Sequence, residues 1–237
     1  MDLKEAGLLG ADEGRHWYYA SKSSALLKCL NDRQPERILD VGAGSGFFSK
    51  ALLGRTAARS ATCIDTGYAK DWSEIHSGKP VRFQRTGAAA DADLVLLMDV
   101  LEHVDDDVGL IRQYAASARP GTRFVISVPA FSWLWGKHDE FLEHRRRYTL
   151  GDVLRLLTDA GLSPRLGFYF FAAVFPAVAA RRLWQRQWPG RDLPASDLRQ
   201  HHPWTNWMLT RLCLAECVVA RQNRAFGLTA FGVAEKM

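Results

Sequence analysis

The chain has 237 residues, of which 47% are hydrophobic, and it carries a formal net charge of +5. This length and composition favour a single globular domain that buries a full core. The basic residues are spread along the chain apart from a few clusters, which argues against a nucleic acid partner. Four cysteines show no C-x-x-C pair or disulfide framework, no signal peptide is visible, and no apolar run is long enough to span a membrane. We therefore expect a cytoplasmic protein.

The first predicted element is a helix that flanks the domain. Residues 1–14 are polar, and an aromatic patch at His16–Lys22 opens a helix that we expect to end near Leu30. The simplest interpretation of this patch is aromatic packing onto a neighbouring sheet. A polar linker from Asn31 to Glu36 then leads to the next element.

A short apolar run, Arg37–Val41, precedes three alternating glycines, Gly42, Gly44 and Gly46. This pattern predicts a buried parallel strand, a tight turn and the N-terminus of a helix. Glycine lets the backbone turn sharply with no Cβ in the way of a close ligand, and the N–H groups at the helix start favour a carboxylate or a phosphate. The spacing is G-x-G-x-G, and Phe47 stands where a dinucleotide fingerprint has its third glycine. We expect a small ligand here, and a nicotinamide cofactor is disfavoured.

Two later stretches place acids at predicted strand ends. Asp65 ends the apolar run Ala61–Ile64, where a carboxylate can bind ribose hydroxyl groups. The stretch Asp93–Val104 begins with another apolar run, which predicts a further buried strand, and continues into a loop that contains Asp99. The carboxyl ends of parallel strands meet at one edge of a sheet, so we expect these acids to lie near the glycine turn.

The glycine turn, Asp65 and the Asp93–Val104 stretch together resemble the ordered motifs of class I S-adenosylmethionine-dependent methyltransferases. The resemblance implies an α/β, Rossmann-like fold with a seven-stranded, mostly parallel sheet, helices on both faces and an antiparallel last strand. It also implies that the first helix lids the cofactor, which is S-adenosylmethionine, with Tyr18, Tyr19 and Lys22 as candidates. The cofactor-binding positions that it implies are Asp40, Gly42, Ala43, Gly44, Gly46, Asp65, Thr66, Asp99, Val100 and Leu101.

The region after the second strand matches the family less well. Residues 69–79 predict a short helix and a loop, and Val81–Arg85 alternates like a third strand. In the family, an acid just after this strand recognises the adenine amino group. Asp91 is the only acid available in this segment, so the adenine contact stays unassigned.

The second half of the chain continues the alternation of helices and strands that is typical of α/β proteins. We expect Thr149 to cap one of its helices and Gly161 to end it. The remaining predicted elements are a helix at 105–118, a fifth strand at 122–129, a loop at 130–148, a helix at 149–160, a sixth strand at 166–171, a helix at about 206–221 and a seventh strand at 227–235.

The loop His138–Tyr148 resembles a signature, H-D-x-x-x-x-H-x-R-R-Y, of a bacterial, ubiquinone-methyltransferase-like branch often linked to envelope or glycan modification. His138 and His144 are candidate catalytic residues, because a histidine can take a proton near neutral pH. Arg146 is a candidate for holding an anionic group through paired hydrogen bonds. The alternative is a structural loop whose arginines are tied to its own acids. Three consecutive arginines cannot all face one way, so at most two should touch an acceptor.

Asp99, Glu102 and His103 raise the question of a metal. Their spacing is similar to a divalent-metal site in ubiquinone-type O-methyltransferases, where the ion lowers the pKa of a catechol hydroxyl. Aspartate stands here where that pattern has glutamate, and many class I enzymes carry a Leu-Glu-His loop as a wall of the cofactor site. We therefore assign no metal ligands.

An insertion at 172–205 lies between the predicted sixth and seventh strands. The apolar run Phe168–Ala180 is followed by Arg181–Trp188, which combines three arginines with two tryptophans. Such a stretch suits a membrane interface or an amphiphilic acceptor, and we expect peripheral membrane contact through 168–188. A buried strand and helix with a surface arm, acting as a homodimer contact, remains an equal alternative.

These patterns predict one methyltransferase domain over 1–237, with a flanking or lid helix within 1–34. Methyl transfer requires mainly that the nucleophile and the methyl group are held in line, and a base helps where the acceptor is protonated. The predicted reaction is O-methylation of a small or amphiphilic acceptor, either glycan- or lipid-linked or a secondary metabolite. N-methylation and a non-catalytic partner subunit that binds the cofactor stay open.

Overall fold

The computed structural model describes residues 14–30, 33–187 and 201–237, so the predictions for 1–13, 31–32 and 188–200 lie outside the described residues. No helix within the described ranges has the length and apolar character needed to cross a membrane. The strands are β1 (Arg37–Val41), β2 (Ser60–Ile64), β3 (Trp72–His76), β4 (Lys79–Gln84), β5 (Leu94–Met98), β6 (Arg123–Pro129), β7 (Leu162–Phe170) and β8 (Thr229–Lys236). The α-helices are α1 (Trp17–Leu30), α2 (Phe47–Arg55), α3 (Asp107–Ser117), α4 (Lys137–Phe141), α5 (Leu150–Asp159), α6 (Phe175–Gln187) and α7 (Pro203–Glu216).

The eight strands form one sheet in the order β3-β4-β2-β1-β5-β6-β8-β7. The central strands β4, β2, β1, β5 and β6 pair in parallel. The last strand, β8, lies between β6 and β7 and is antiparallel to both. The mixed, mostly parallel α/β sheet is therefore confirmed, whereas the predicted count of seven strands is wrong.

The additional strand is β3, where we predicted a short helix and a loop. It pairs antiparallel with β4 through a two-residue turn, Ser77-Gly78, in which both residues have positive φ. This backbone is typical of a type I′ hairpin turn. Trp72 stacks on Phe83 across the pair, with ring centroids 4.3 Å apart. The Ser77-Gly78 pair was the signal that the prediction missed.

Other predicted boundaries hold closely. Thr149 caps α5: its hydroxyl accepts from the backbone N–H of Asp152 at 3.2 Å, while the Asp152 carboxylate accepts from the Thr149 N–H at 2.9 Å. Gly161 follows the helix at φ +79°. Helix α7 begins earlier than predicted because Pro203 suits the first turn of a helix, where its missing N–H costs nothing.

Helices cover both faces of the sheet, as predicted. On one face α1 and α2 bury Leu26, Phe48 and Leu52 against the strands. On the other face α3 and α5 bury residues such as Ile111 and Val153. Apolar residues alternate between the two faces along the central strands, so the sheet separates two core clusters, one under each layer of helices.

The insertion between β7 and β8 folds back onto the first helix. The Asn206 side chain accepts from the Trp17 N–H at 2.8 Å and donates to the Arg15 carbonyl at 2.8 Å, which joins α7 to the start of α1. Residues 168–171 are buried in or beside β7, so the apolar run starts as a core strand. Helix α6 then leaves the sheet, with Arg182 as its buried residue.

The topology places a crevice beyond the ends of β1 and β5. From β1 the chain builds one side of the sheet through β2 and β4, and then returns to β5 on the other side. Ligands of doubly wound sheets bind at such a switch point, outside the carboxyl ends of the strands.

Candidate active site

The glycine turn lies directly after β1. Gly42, Gly44 and Gly46 have φ values of +65°, +54° and +72°, which favour glycine at each position. A Cβ at Gly42 would lie 2.6 Å from Cγ2 of Val100, and a Cβ at Gly46 would lie 2.9 Å from the ring of Phe83. The turn therefore needs glycine both for its backbone and for the close approach of the β5 loop and β4.

Asp65 lies against this turn from the end of β2. One carboxylate oxygen accepts from the Gly44 N–H at 3.0 Å and the other accepts from the Gly67 N–H at 2.8 Å. The N–H of Ala43 donates to the carbonyl of Ile64 at 3.1 Å, which joins the turn to the same strand. Thr66 beside Asp65 is exposed. The structure thus brings together the glycines and the acid that the sequence predicted.

Asp40 lies beneath the turn and is only 1% exposed. Its carboxylate accepts a hydrogen bond from the Ser49 hydroxyl of α2 at 2.8 Å. Burial raises its pKa from 3.8 to about 6, although the Ser49 hydrogen bond opposes this. The side chain therefore joins the turn to α2 and points away from the crevice.

Asp99 ends β5 in a left-handed conformation, at φ +56°, which a non-glycine residue rarely adopts. Its carboxylate pairs with the ammonium of Lys22 from α1 and accepts from the Ser127 hydroxyl at 3.2 Å. Burial acts to raise the pKa of Asp99, but the charge and hydrogen bond of Lys22 outweigh it and lower the pKa. Lys22 is fully buried and also donates to the Tyr18 hydroxyl at 2.9 Å. The first helix thus supplies a cation to the crevice.

Val100, Leu101 and Glu102 continue from Asp99 into the loop. Val100 packs on Gly42, and the carbonyl of Leu101 accepts from the Tyr148 hydroxyl at 3.0 Å. Glu102 is fully buried, and both of its carboxylate oxygens have no hydrogen-bond partner among the described residues. Burial, with repulsion from Asp99, raises the pKa of Glu102 well above its ordinary value.

The loop after β6 brings a buried acid to a histidine. Nδ1 of His144 lies 2.9 Å from the carboxylate of Asp139, which Arg147 also contacts through two hydrogen bonds of 2.7 and 3.0 Å. Burial acts to raise the pKa of Asp139, but the hydrogen bonds from His144 and Arg147 and the charge of Arg147 hold it well below its usual range. An ionised carboxylate can only accept, so Nδ1 of His144 carries a proton, and in the neutral imidazole Nε2 is the acceptor.

The three arginines of this loop separate. Arg145 pairs with Asp105, and Arg146 pairs with Asp107 at 3.2 Å and donates to the carbonyls of Val104 and Asp105. Arg147, paired with Asp139, is the arginine of the three that lines the cavity described next. The side chain of Arg146, a predicted catalytic residue, thus packs against the loop after β5 and lies outside the cavity lining.

A cavity of about 320 Å³ lies beside the crevice. His138, His144 and Asp99 line it, whereas the glycine turn, Asp65 and Thr66 lie outside its lining. The sequence analysis did not identify the α6 residues that form one wall of this cavity. Arg182, which is buried directly after an apolar run, was a signal for that wall. The lining residues are Trp17, Tyr18, Tyr19, Asp99, Glu102, His103, Pro129, His138, Leu142, His144, Arg147, Val174, Ala177, Val178, Arg181, Arg182, His201, Leu209, Leu228 and Thr229.

Three side chains in this cavity form a candidate metal site. One ligand atom from each of Glu102, His103 and His144 lies within 4.8 Å of the others. The rings of His103 and His144 are 4.8 Å apart, centroid to centroid. Asp139 at Nδ1 of His144 provides the carboxylate that often orients a metal-bound histidine. The group differs from the one raised by the sequence, because Lys22 neutralises Asp99 and His144 joins from another loop.

The switch-point turn, the strand-end acid and the adjoining cavity define a doubly wound α/β protein with a ligand crevice beside a second cavity. A family model described as a methyltransferase domain matches residues 14–166. The chain belongs to this family of methyltransferase domains.

Curated relatives match a shorter part of the chain. The ubiquinone biosynthesis O-methyltransferase of Aeromonas salmonicida is 34% identical over 103 residues, covering 39% of this chain and 42% of that protein. The protein of the same name from Methylocella silvestris is 40% identical over 96 residues, covering 36% of each. The chain therefore spans about two-fifths of the length of the curated relatives it matches.

Solved structures share the fold across nearly the whole chain. A Haloferax volcanii putative methyltransferase, solved in complex with the Trm112 methyltransferase activator, has a TM-score of 0.57 and 17% identity, covering 99% of this chain and 97% of that chain. Phosphoethanolamine N-methyltransferase 2 of Haemonchus contortus, solved with S-adenosyl-L-methionine, has a TM-score of 0.55 and 12% identity, covering 100% and 60%. At these identities the likeness extends to the fold alone.

Proposed function

We propose that the chain methylates a hydroxyl group of a small or amphiphilic acceptor. The observation that carries this proposal is the buried Asp139–His144 pair, because Asp139 holds Nδ1 and leaves Nε2 of a cavity-lining histidine as an acceptor. The relatives named as ubiquinone biosynthesis O-methyltransferases support a hydroxyl acceptor. The cavity wall contains Val174, Val178 and Leu209, which favours an acceptor with an apolar part.

The cofactor is proposed to lie along the crevice between β1 and β5. The turn Gly42–Gly46 leaves room for a close ligand, and Asp65 at its side can accept from ribose hydroxyl groups. Lys22 and Asp99 offer one positive and one negative group, which match the carboxylate and the ammonium of an amino acid. Val100 and Leu101 would form the wall, Ala43 and Thr66 would flank the turn, and Asp40 would support it from below.

When bound, S-adenosylmethionine supplies a methyl group already activated by its sulfonium centre. The protein then has to align the acceptor hydroxyl and remove its proton. In our proposal Nε2 of His144 takes that proton, and the ionised Asp139 stabilises the imidazolium that results. Arg147 keeps Asp139 ionised. His138 lines the same cavity and would orient the acceptor.

The cluster of Glu102, His103 and His144 also fits a divalent cation. A carboxylate and two imidazoles are a suitable ligand set. The cation would give the carboxylate oxygens of Glu102, which have no hydrogen-bond partner among the described residues, a charged partner. Such an ion would lower the pKa of an acceptor hydroxyl. The proton transfer that we propose for His144 does not require the ion, so we retain the expectation that no metal is needed.

The test measures formation of S-adenosylhomocysteine with alkylphenols and alkylcatechols of increasing chain length. Alkylanilines of the same lengths serve as matched amines. We expect turnover of the hydroxyl acceptors, with kcat/KM rising with chain length as the apolar wall is filled. Preference for the anilines would instead establish N-methylation. Cofactor binding without transfer to any probe would indicate a partner subunit.

A further inference from the structure

The two helices of the insertion, α6 and α7, carry large apolar side chains that face outward. On α7, Trp204, Met208 and Leu212 follow at steps of four residues and Trp207 lies three residues after Trp204, which places all four on one face of the helix. Their exposed fractions run from 40% to 63%. Cys213, on the opposite face, is fully buried. The apolar stripe is therefore the outer side of a helix whose inner side is already packed.

Helix α6 has a similar outer side. Leu183 and Trp184 are 52% and 66% exposed, and Ala180, one turn before Trp184, is exposed as well. A set of this size on two helices that line the same cavity exceeds the isolated apolar residues normal on a protein surface. We call it the insertion face, which consists of Leu183, Trp184, Trp204, Trp207, Met208 and Leu212.

The charge around the insertion face has one sign. The described stretches 173–187 and 203–226 contain six arginines, of which Arg182 is buried, and a single acid, Glu216. The Glu216 carboxylate is engaged, since it accepts from the N–H groups of Ala172 and Ala173 at 2.8 and 3.0 Å, ahead of α6. A ligand for this surface should therefore be anionic as well as apolar.

Arginine and tryptophan also combine within the face. The guanidinium of Arg211 lies over the ring of Trp207, 5.7 Å from its centroid. Tryptophan rings settle at the boundary between headgroups and acyl chains, and arginines attract anionic headgroups there. Exposed aromatic residues with surrounding cations are the composition of a helix that lies in a membrane interface.

We propose that the insertion face docks on a lipid bilayer with anionic headgroups, and that the acceptor enters the cavity from that bilayer. Ala177 and Val178 of α6 and Leu209 of α7 line the cavity, so the helices that carry the face also form the cavity wall. An amphiphilic acceptor held in the bilayer would meet this wall without passing through water. The entry of the acceptor rests on the proposed function, whereas the docking does not.

Co-sedimentation of the full chain with vesicles tests the docking. Vesicles of phosphatidylcholine alone are compared with an equal mixture of phosphatidylcholine and phosphatidylglycerol. We expect attachment to the anionic vesicles at low salt and its decline as salt is added. Arg186→Glu and Arg211→Glu should each weaken attachment about fivefold or more, and the pair Trp204→Ser with Trp207→Ser about tenfold.

Matched controls lie elsewhere on the protein. Ile75, 71% exposed on β3, is at the opposite end of the strand order from β7, and Arg155 on α5 has a side chain that is 73% exposed. Ile75→Ser and Arg155→Glu should leave attachment unchanged. Equal losses in these controls, or a wild type that stays in the supernatant at low salt, would overturn the docking. A dimer that dissociates in the tryptophan variant and ignores vesicles would assign the face to a second copy of the chain.

Two further measurements separate this proposal from the proposed function. Calorimetry with S-adenosylhomocysteine on the same samples reports cofactor binding, so binding without vesicle attachment overturns the docking alone. For entry, a long-chain alkylcatechol is placed in the anionic vesicles and a short-chain one is left in solution. The tryptophan variant should lose turnover of the former and keep that of the latter. Equal turnover of the vesicle-held probe by variant and wild type would overturn entry from the bilayer.

Discussion

The cofactor side of the crevice is built mainly from backbone groups, whereas the acceptor side is built from side chains. On the cofactor side, the turn Gly42–Gly46 meets Asp65 mainly through backbone N–H groups at neighbouring strand ends. On the acceptor side, Glu102 from one loop meets Asp139 and His144 from another, and side chains form the site. A site made of backbone depends on local conformation, whereas a site made of side chains depends on how distant segments pack.

On each side of the crevice, the direction of a buried acid's pKa shift depends on its partner. Asp99 and Asp139 each contact a cation, Lys22 or Arg147, which keeps the pKa low despite burial. Asp40 and Glu102 have no paired cation within the described ranges, and burial raises the pKa of both. The charge of a buried acid is thus decided by its partner and not by depth alone.

The largest effect is expected on the acceptor side, from the histidines of the loop. We expect His144→Ala to lose turnover roughly 100-fold or more, the scale of a general base, with cofactor affinity unchanged. His138→Ala, in the same cavity, should lose far less. Turnover with an alkylcatechol and affinity for S-adenosylhomocysteine are measured separately.

The His144→Ala variant should fold, because Asp139 keeps its two hydrogen bonds from Arg147 and the one from the Gly136 N–H at 2.8 Å. Normal turnover in both histidine variants would show that the loop is scaffold, and so would the unfolding of both.

On the cofactor side, Asp40 should make stability depend on pH. Its folded pKa of about 6 lies above the ordinary 3.8, so the stability linked to its proton is present below about pH 4 and lost as the pH rises through 6. The loss amounts to about 3 kcal/mol at most. Asp40→Asn, which keeps an acceptor for Ser49, should therefore gain stability relative to wild type as pH rises.

Urea unfolding from about pH 5 to about pH 8 measures this difference. Asp91→Asn is the control, because Asp91 has a side chain that is 81% exposed and pairs with Arg119 at the surface. A wild-type and Asp40→Asn difference that stays constant with pH would contradict the raised pKa of Asp40.

A smaller effect is expected at Asp65. Asp65→Ala should weaken binding of S-adenosylhomocysteine by about 1–3 kcal/mol, because ribose hydroxyl groups would lose their acceptor. Asp93→Ala is a matched control, since Asp93 also accepts two backbone N–H groups, those of Glu36 and Arg37 at 2.8 and 2.9 Å, at the other end of β1.

Calorimetry of both variants measures the affinity. Equal losses would mean that Asp65 only supports the backbone. Binding of NADH in place of the adenosyl ligand would contradict the crevice assignment itself.

Chelation should have the smallest effect. We expect turnover to survive EDTA, and His103→Ala to change it less than about threefold, because His144 acts with Asp139 alone. Titration of zinc into the protein, followed by calorimetry, gives a reading that is independent of activity. Loss of turnover on chelation, recovery with magnesium or zinc, and a matching loss in Glu102→Gln and His103→Ala would show that the cluster holds an ion.

The sequence was sufficient for those features that local chemistry determines. Apolar runs alternating with helical patterns predicted the α/β sheet, and the spacing of Gly42, Gly44 and Gly46 predicted a turn that only glycine can form. The Thr149 cap was equally local. Strand β3, which the prediction missed, is also determined locally, because Ser77-Gly78 forms the turn of its hairpin with β4.

Tertiary structure decided what each polar side chain of the site faces. The sequence shows three consecutive arginines, but only the packing of the folded chain pairs Arg146 with Asp107 and Arg147 with the buried Asp139. The sequence separation between Lys22 and Asp99, and between Glu102 and His144, gives no sign that these pairs meet. The physical reason is that a turn is fixed by φ and ψ of a few neighbours, whereas ionisation and partner choice depend on burial, which exists only once the chain has folded.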